Sequence, residues 1–132
     1  MPITALYAGL LVPIFIVLAF RVIGVRRAAR ISVGDGGDKS LARRMRVHAN
    51  FAEYVPMALL LMALLESVRP GARMLHVLGA VLVAGRIAHA IGMSRTPDYR
   101  PLRVAGVLAT MFVLAGGALA CLHAAAERGV GL

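Results

Sequence analysis

Four apolar stretches, residues 3–20, 47–65, 74–93 and 104–124, are separated by short polar segments along the whole chain. A helix crosses a hydrocarbon core of ~30 Å with about 20 predominantly apolar residues, and each stretch is of that order. The first carries no charge, the fourth none before His123, and the middle two hold their polar residues near their ends. This pattern predicts an all-α integral membrane four-helix bundle, up-down-up-down, forming a single domain over 1–132. Pro70-Gly71 marks a tight turn between the second and third spans, and Thr96-Pro97-Asp98 with Pro101 breaks the chain before the fourth.

The remaining connection, Ser32 to Ser40, is the longest polar stretch. Its glycines do not make a phosphate-cradling loop, because no strand precedes them and no Gly-Lys-Ser/Thr follows. Ser40, four positions before Arg44, is the expected cap of the second helix. Within the spans, Pro13 predicts a bend, and Pro56 leaves the carbonyl of Ala52 without its usual donor. Gly116, Ala120 and Ala124 form a small-residue stripe suited to close helix contact, within the chain or between subunits.

Composition narrows the class. The chain of 132 residues is 60% hydrophobic with a formal charge of +9, and its mean hydropathy is +0.81. These values fit one small membrane domain better than any soluble class. The first span lacks a positive leader and exceeds the usual signal-peptide core, so it reads as a retained helix. One cysteine, Cys121, excludes an internal disulfide, and its Ala and Leu neighbours make it buried filler.

A pI near 11.5 suggests nucleic acid, yet the basic residues border apolar spans and are not interleaved with aromatics. The partner they imply is the lipid bilayer, with no nucleic acid. Eight of the 15 Lys and Arg residues fall between Arg21 and Arg46, and four more between Arg86 and Arg103. The positive-inside bias therefore places the 21–46 and 94–103 connections in the cytoplasm and both termini outside.

The candidate chemistry sits at that basic side. Arg46, Asn50 and Glu53, spaced by four and three, share one helical face, and Glu53 lies roughly 10 Å deeper than Arg46. Arg86 and His89, three apart on the third span, reach the same level from an antiparallel helix. An unpaired charge at mid-bilayer costs roughly 2.5–3.5 kcal/mol on insertion scales, so mutual pairing is expected, for example a structural bridge from Glu53 to Arg86. Arg26, Arg46, Arg86 and Arg103 outnumber the one intramembrane carboxylate, and such surplus calls for an anionic ligand. No metal site is supported: His48, His76, His89 and His123 fall at different heights, and no HExxH occurs.

These residues resemble a known family, the membrane-associated proteins in eicosanoid and glutathione metabolism (MAPEG), especially its small bacterial branch and the microsomal glutathione transferases. The likeness covers nearly the whole chain and rests on Gly34-Asp35-Gly36-Gly37, on Arg46 through Pro56 (RVHANFAEYVP), and on Gly85-Arg86-Ile87-Ala88-His89. The resemblance implies a homotrimer in a bacterial inner membrane, with glutathione as ligand or substrate, held between neighbouring subunits at the cytoplasmic side. Arg46, Asn50 and Glu53 match the positions holding the tripeptide, and Arg86 and His89 match third-helix positions lining the same cleft. Arg26 matches a further ligand-binding arginine, and Arg103 resembles the catalytic arginine that faces the sulfur. A guanidinium there lowers a thiol pKa from about 8.5 and raises the thiolate fraction at neutral pH.

One departure concerns Met93, which stands where several active members carry tyrosine and which cannot donate a hydrogen bond to a thiolate. The implied activity is glutathione transfer to, or peroxide-type reduction of, lipophilic small molecules in the bilayer. The alternative is a non-catalytic lipid- or peptide-binding membrane scaffold. A transporter or channel is the weakest reading, because the polar cluster sits at one end with no ionisable path through the spans.

Overall fold

Four helices account for nearly all of the chain in a computed structural model that describes residues 1–68, 71–95 and 97–129. They are α1 (Pro2–Ala29), α2 (Lys39–Ser67), α3 (Ala72–Ser94) and α4 (Arg100–Glu127), with no strand among the described residues. At ~1.5 Å per residue, α1 and α4 are each about 42 Å long, so their ends extend past the hydrocarbon core. All four have the length and apolar composition to cross a membrane. The turn expected at Pro70-Gly71 and the break expected at Thr96 lie partly outside the described residues.

Local signals fix the helix ends. The cap of α2 is Asp38, not Ser40: its Oδ1 accepts from the backbone N–H groups of Ser40 (2.7 Å) and Leu41 (3.2 Å). An ionised acceptor just ahead of the first turn serves the orphan donors and the helix dipole better than a hydroxyl already inside it. Ahead of that cap, Asp35 accepts from the N–H of Gly37 at 3.0 Å, and Gly34, Gly36 and Gly37 all take positive φ. Thus the glycine run is a chain of left-handed turn positions, which glycine adopts without steric penalty. Both Pro13 and Pro56 lie inside helices that continue through them.

The start of α1 is held from another helix. Glu66, near the end of α2, accepts from the N–H of Ile3 (Oε1, 2.9 Å) and of Thr4 (Oε2, 2.8 Å). One carboxylate thereby satisfies two orphan donors at the positive end of a helix dipole. Glu66 stands just past the second apolar stretch, which is why Glu53 is the one intramembrane carboxylate expected from sequence.

Helices α2 and α3 form the middle of the bundle, α1 packs on one flank and α4 on the other, and among the described residues the backbones of α1 and α4 do not come together. Leu11, Phe51, Ala58, Met62, Leu82 and Val113 are among the buried side chains that join them. The tightest seam runs between α3 and α4. A Cβ on Gly106 would stand 2.5 Å from the Gly85 carbonyl oxygen and 2.6 Å from the His89 nitrogen, and one on Gly92 would stand 2.5 Å from the Arg103 nitrogen. Glycine at these positions lets the two backbones meet. Within one chain the small-residue stripe of α4 is looser, since a Cβ on Gly116 would meet only Leu78, at 3.9 Å.

Outward, the bundle is apolar. Phe20, Leu108, Phe112 and Leu119 are each more than half exposed. A soluble monomer rarely presents so much apolar surface, whereas lipid or neighbouring subunits cover it at no cost. The protein is an all-helical integral membrane four-helix bundle.

Candidate functional site

The outer face of α2 carries an open ion pair. Arg46 Nη1 lies 3.4 Å from Glu53 Oε1, with the two side chains 61% and 47% exposed. Asn50, between them in sequence, turns toward α3. At ~100° per residue, Asn50 sits roughly 60° around the helix from Glu53, enough to change which neighbour each side chain meets.

Behind Asn50 lies Arg86, only 2% exposed. Its Nη1 donates to Asn50 Oδ1 at 2.9 Å and to the Asn50 carbonyl at 3.5 Å, and its Nη2 donates to the Gly106 carbonyl at 3.3 Å. Thr110 Oγ1 donates to that same carbonyl at 2.9 Å. Among the described residues the Arg86 Nε has no hydrogen-bond partner. So one guanidinium ties α3 to α2 and α4 through neutral acceptors alone. The Glu53 to Arg86 bridge considered from sequence is not formed, because Glu53 faces outward and Asn50 is the residue that reaches the third helix.

His89, one turn further along α3, is 4% exposed. Arg86, Arg103 and Arg46 are all near enough to act on it electrostatically. Arg103 itself donates from Nη1 to Asp98 Oδ2 at 2.6 Å, in a half-exposed pair. Its position follows from the glycine seam: Tyr99 N–H donates to the Gly92 carbonyl at 2.9 Å, and Arg103 N–H donates to the Tyr99 carbonyl at 3.2 Å.

Arg26 stands apart from this group. From the end of α1 its Nη1 donates to the Ser32 carbonyl at 3.2 Å, and its Nη2 contacts the Met45 sulfur at 3.4 Å. Since α1 and α4 occupy opposite flanks, a single subunit keeps Arg26 and Arg103 on different sides. Met93 is half-buried and packs against the core.

Residues 4–123 match the MAPEG family. The chain belongs to that family. It is also similar to the inner membrane protein YecN of Escherichia coli strain K12, 38% identical over 90 residues that cover 68% of this chain and 69% of YecN. YecN of strain O6:H1 matches to the same extent.

Within this MAPEG bundle, Arg46 and Glu53 present open side chains, Arg103 is half-open, and Arg86 and His89 lie behind them. Asn50 is the link between the two groups. Three positions that matter here were not singled out from sequence. Asp98 engages Arg103, Gly106 supplies the carbonyl that holds Arg86, and Gly92 seats the start of α4. A carboxylate five residues before a basic helix-start residue was a usable sign for Asp98; nothing local marked the two glycines, whose role exists only once α3 and α4 cross.

Proposed function

We propose that this MAPEG protein binds glutathione, or a similar acidic thiol, at the basic end of the bundle and conjugates or reduces lipophilic electrophiles arriving from the bilayer. The observation that carries the reading is the open Arg46–Glu53 pair on α2, backed by the Arg86 guanidinium that has only neutral partners. Arg46 suits a ligand carboxylate, Glu53 suits its ammonium, and Asn50, held by Arg86, offers an oriented amide. Arg86 and His89 act as positioning residues rather than direct contacts, given their burial.

A homotrimer supplies the rest of the cleft. Arg26 and Arg103 lie on opposite flanks of one subunit, so a neighbouring copy laid against the α2 face brings one subunit's α1 arginine toward another's α4 arginine. The face to be covered continues along α2 as Met57, Leu60 and Leu64, all half-exposed. An apolar hollow of about 240 Å³ between α1 and α2, lined in part by Phe15, Phe51, Ala52 and Pro56, suits a lipophilic co-substrate.

In the reaction, Arg103 stabilises the glutathione thiolate and the thiol proton passes to solvent. For conjugation, the sulfur forms a bond to an electrophilic carbon, and the leaving group departs with its bonding electrons. The membrane is the bacterial inner membrane, as the name of YecN states for that relative, with the basic end cytoplasmic. A C-terminal reporter active only on the outer side supports this orientation; cytoplasmic activity reverses it.

Glutathione titration into detergent-purified protein, followed by thiolate absorbance of the bound ligand and consumption of a generic electrophile, tests the proposal. Saturable binding with a thiolate signal near neutral pH is the expected result. Two observations favour a second reading, a non-catalytic scaffold: Asp98 already engages Arg103, and Met93 offers no donor. Binding without thiolate or turnover selects that reading.

A further inference from the structure

A second cationic centre lies away from the α2 face, where the end of α1, the start of α2 and the end of α3 meet. Arg21, Lys39, Arg43 and Arg44 line a cavity of about 320 Å³ together with Ser40 and Ser94. Arg21 Nη1 donates to Ser94 Oγ at 2.8 Å, and Arg44 Nη1 donates to the Arg21 carbonyl at 3.2 Å. Arg43 donates to the Arg95 carbonyl. The acceptors of Arg21 and Arg44 are hydroxyl and carbonyl oxygens, which orient a guanidinium without neutralising it. Asp38 lines an adjoining hollow with Arg21 and Arg44, so one carboxylate stands beside the group and the basic side chains outnumber it.

The cavity does not end at the charges. Sharing Arg21 and Ser94, an apolar groove of about 520 Å³ runs between α1 and α3 past Pro13, Ile14, Val17, Ile87 and Ile91. From Arg21 to Pro13 the groove descends ~12 Å along α1, at 1.5 Å per residue. A strongly cationic pocket at the interface, opening directly into an apolar furrow in the membrane, has two kinds of surface that one amphiphile covers together. A free phosphate would leave the furrow empty, and a neutral lipid would leave the cations unmatched.

We propose that this is a binding site for an anionic phospholipid, its phosphate among Arg21, Lys39, Arg43 and Arg44 and one acyl chain in the α1–α3 groove. The site shares no residue with the Arg46–Glu53 face, and its occupancy does not depend on glutathione. Basic pockets between transmembrane helices at the membrane surface select anionic headgroups because each Lys or Arg there adds about 1 kcal/mol. Zwitterionic lipids present a cation as well as the phosphate and gain less. Bound there, the lipid bridges α1 and α3, two helices that also pack directly on each other.

Native mass spectrometry of the full-length protein, with phosphatidylglycerol and phosphatidylcholine of matched chains, tests the assignment. The expected result is preferential retention of phosphatidylglycerol, lowered about fivefold by Lys39→Gln and roughly 25-fold by Arg21→Gln with Arg44→Gln. Ile91→Trp, which fills the groove and leaves every charge, weakens retention too. If the double variant does not fold, Lys39→Gln and Ile91→Trp still decide, because Lys39 is exposed and Ile91 lies on the bundle surface. Equal retention of both lipids, or retention unchanged in Lys39→Gln or in Ile91→Trp, overturns the proposal. Displacement of the lipid by millimolar inorganic phosphate also overturns it, leaving a small-anion site.

Discussion

The two ends of this bundle are built on opposite principles. At the end where α1 begins, charged and aromatic groups meet specific partners: Glu66 caps two N–H groups of α1, and Tyr7 Oη donates to the His76 carbonyl at 3.0 Å. At the other end, guanidiniums outnumber carboxylates. Arg21, Arg44 and Arg86 bond to carbonyl, hydroxyl or amide oxygens, and the pairs Arg46–Glu53 and Arg103–Asp98 stay partly open. A matched end ties helices together, whereas an end with unneutralised cations retains affinity for anions. The difference separates what holds this fold from what is free to bind.

Removing Arg103, the proposed thiolate-stabilising arginine, tests that division most severely. Arg103→Ala is expected to cut turnover of a generic electrophile by about 10²-fold or more, the scale seen when one preorganised stabiliser of developing charge is lost. Bound glutathione loses its thiolate absorbance while most of its affinity remains, since the effect falls mainly on the nucleophile. Loss of affinity equal to the loss of rate assigns Arg103 to binding instead.

Next in size are the open residues of α2. Arg46→Ala and Glu53→Ala should each weaken glutathione by about 1.5–3 kcal/mol, the worth of a charge-assisted hydrogen bond, without altering oligomer size. Isothermal titration and size-exclusion light scattering measure the two quantities. Intact affinity in both variants, or a dissociated oligomer, makes the pair a structural bridge and blurs the contrast between the ends.

The matched end gives the reciprocal expectation. Glu66→Ala removes the acceptor of two α1 N–H groups, so the thermal midpoint falls while glutathione affinity stays at the parent value. Detergent-solubilised protein followed by circular dichroism and titration reads both. A weakened ligand with an unchanged midpoint would place Glu66 on the binding side of the comparison.

How far the sequence foretold these ends depended on the range of the interaction. The four spans were legible because bilayer crossing is a property of local composition, and the Arg46–Glu53 face because helical periodicity acts over two turns. Asn50 was assigned to that face, but its 60° offset, trivial in an isolated helix, becomes decisive beside α3. Glu66 was overlooked because its partners are 63 and 62 residues away. The small-residue stripe at Gly116, Ala120 and Ala124 suggests close helix contact without naming the partner, whereas the α3–α4 seam runs at Gly85, Gly92 and Gly106, whose spacing within each helix gives no hint of the crossing point between them. Tyr7, whose ring fills the space beside Gly79, was likewise silent in the sequence. Helix faces can be read from one strand of text, while the choice of neighbour depends on two.

The smallest effect expected is at Met93, and it sharpens the comparison from the inside. The side chain is half-buried against the core near the end of α3, close in sequence to Gly92, which seats the start of α4. Met93→Tyr adds a hydroxyl donor near the basic end without removing any charge or any of the hydrogen bonds described above. If Arg103 alone stabilises the thiolate, a second donor raises the thiolate fraction of bound glutathione or leaves it unchanged, with rate following in the same direction. The gain is bounded, because a neutral donor contributes less than a cation already in place. Because rate and absorbance are read on the same sample, a rise in both identifies the missing donor as the limit on activity. A fall in both, with the thermal midpoint intact, means that Met93 already serves the site through packing, and that the open end depends on its core as closely as the matched end does.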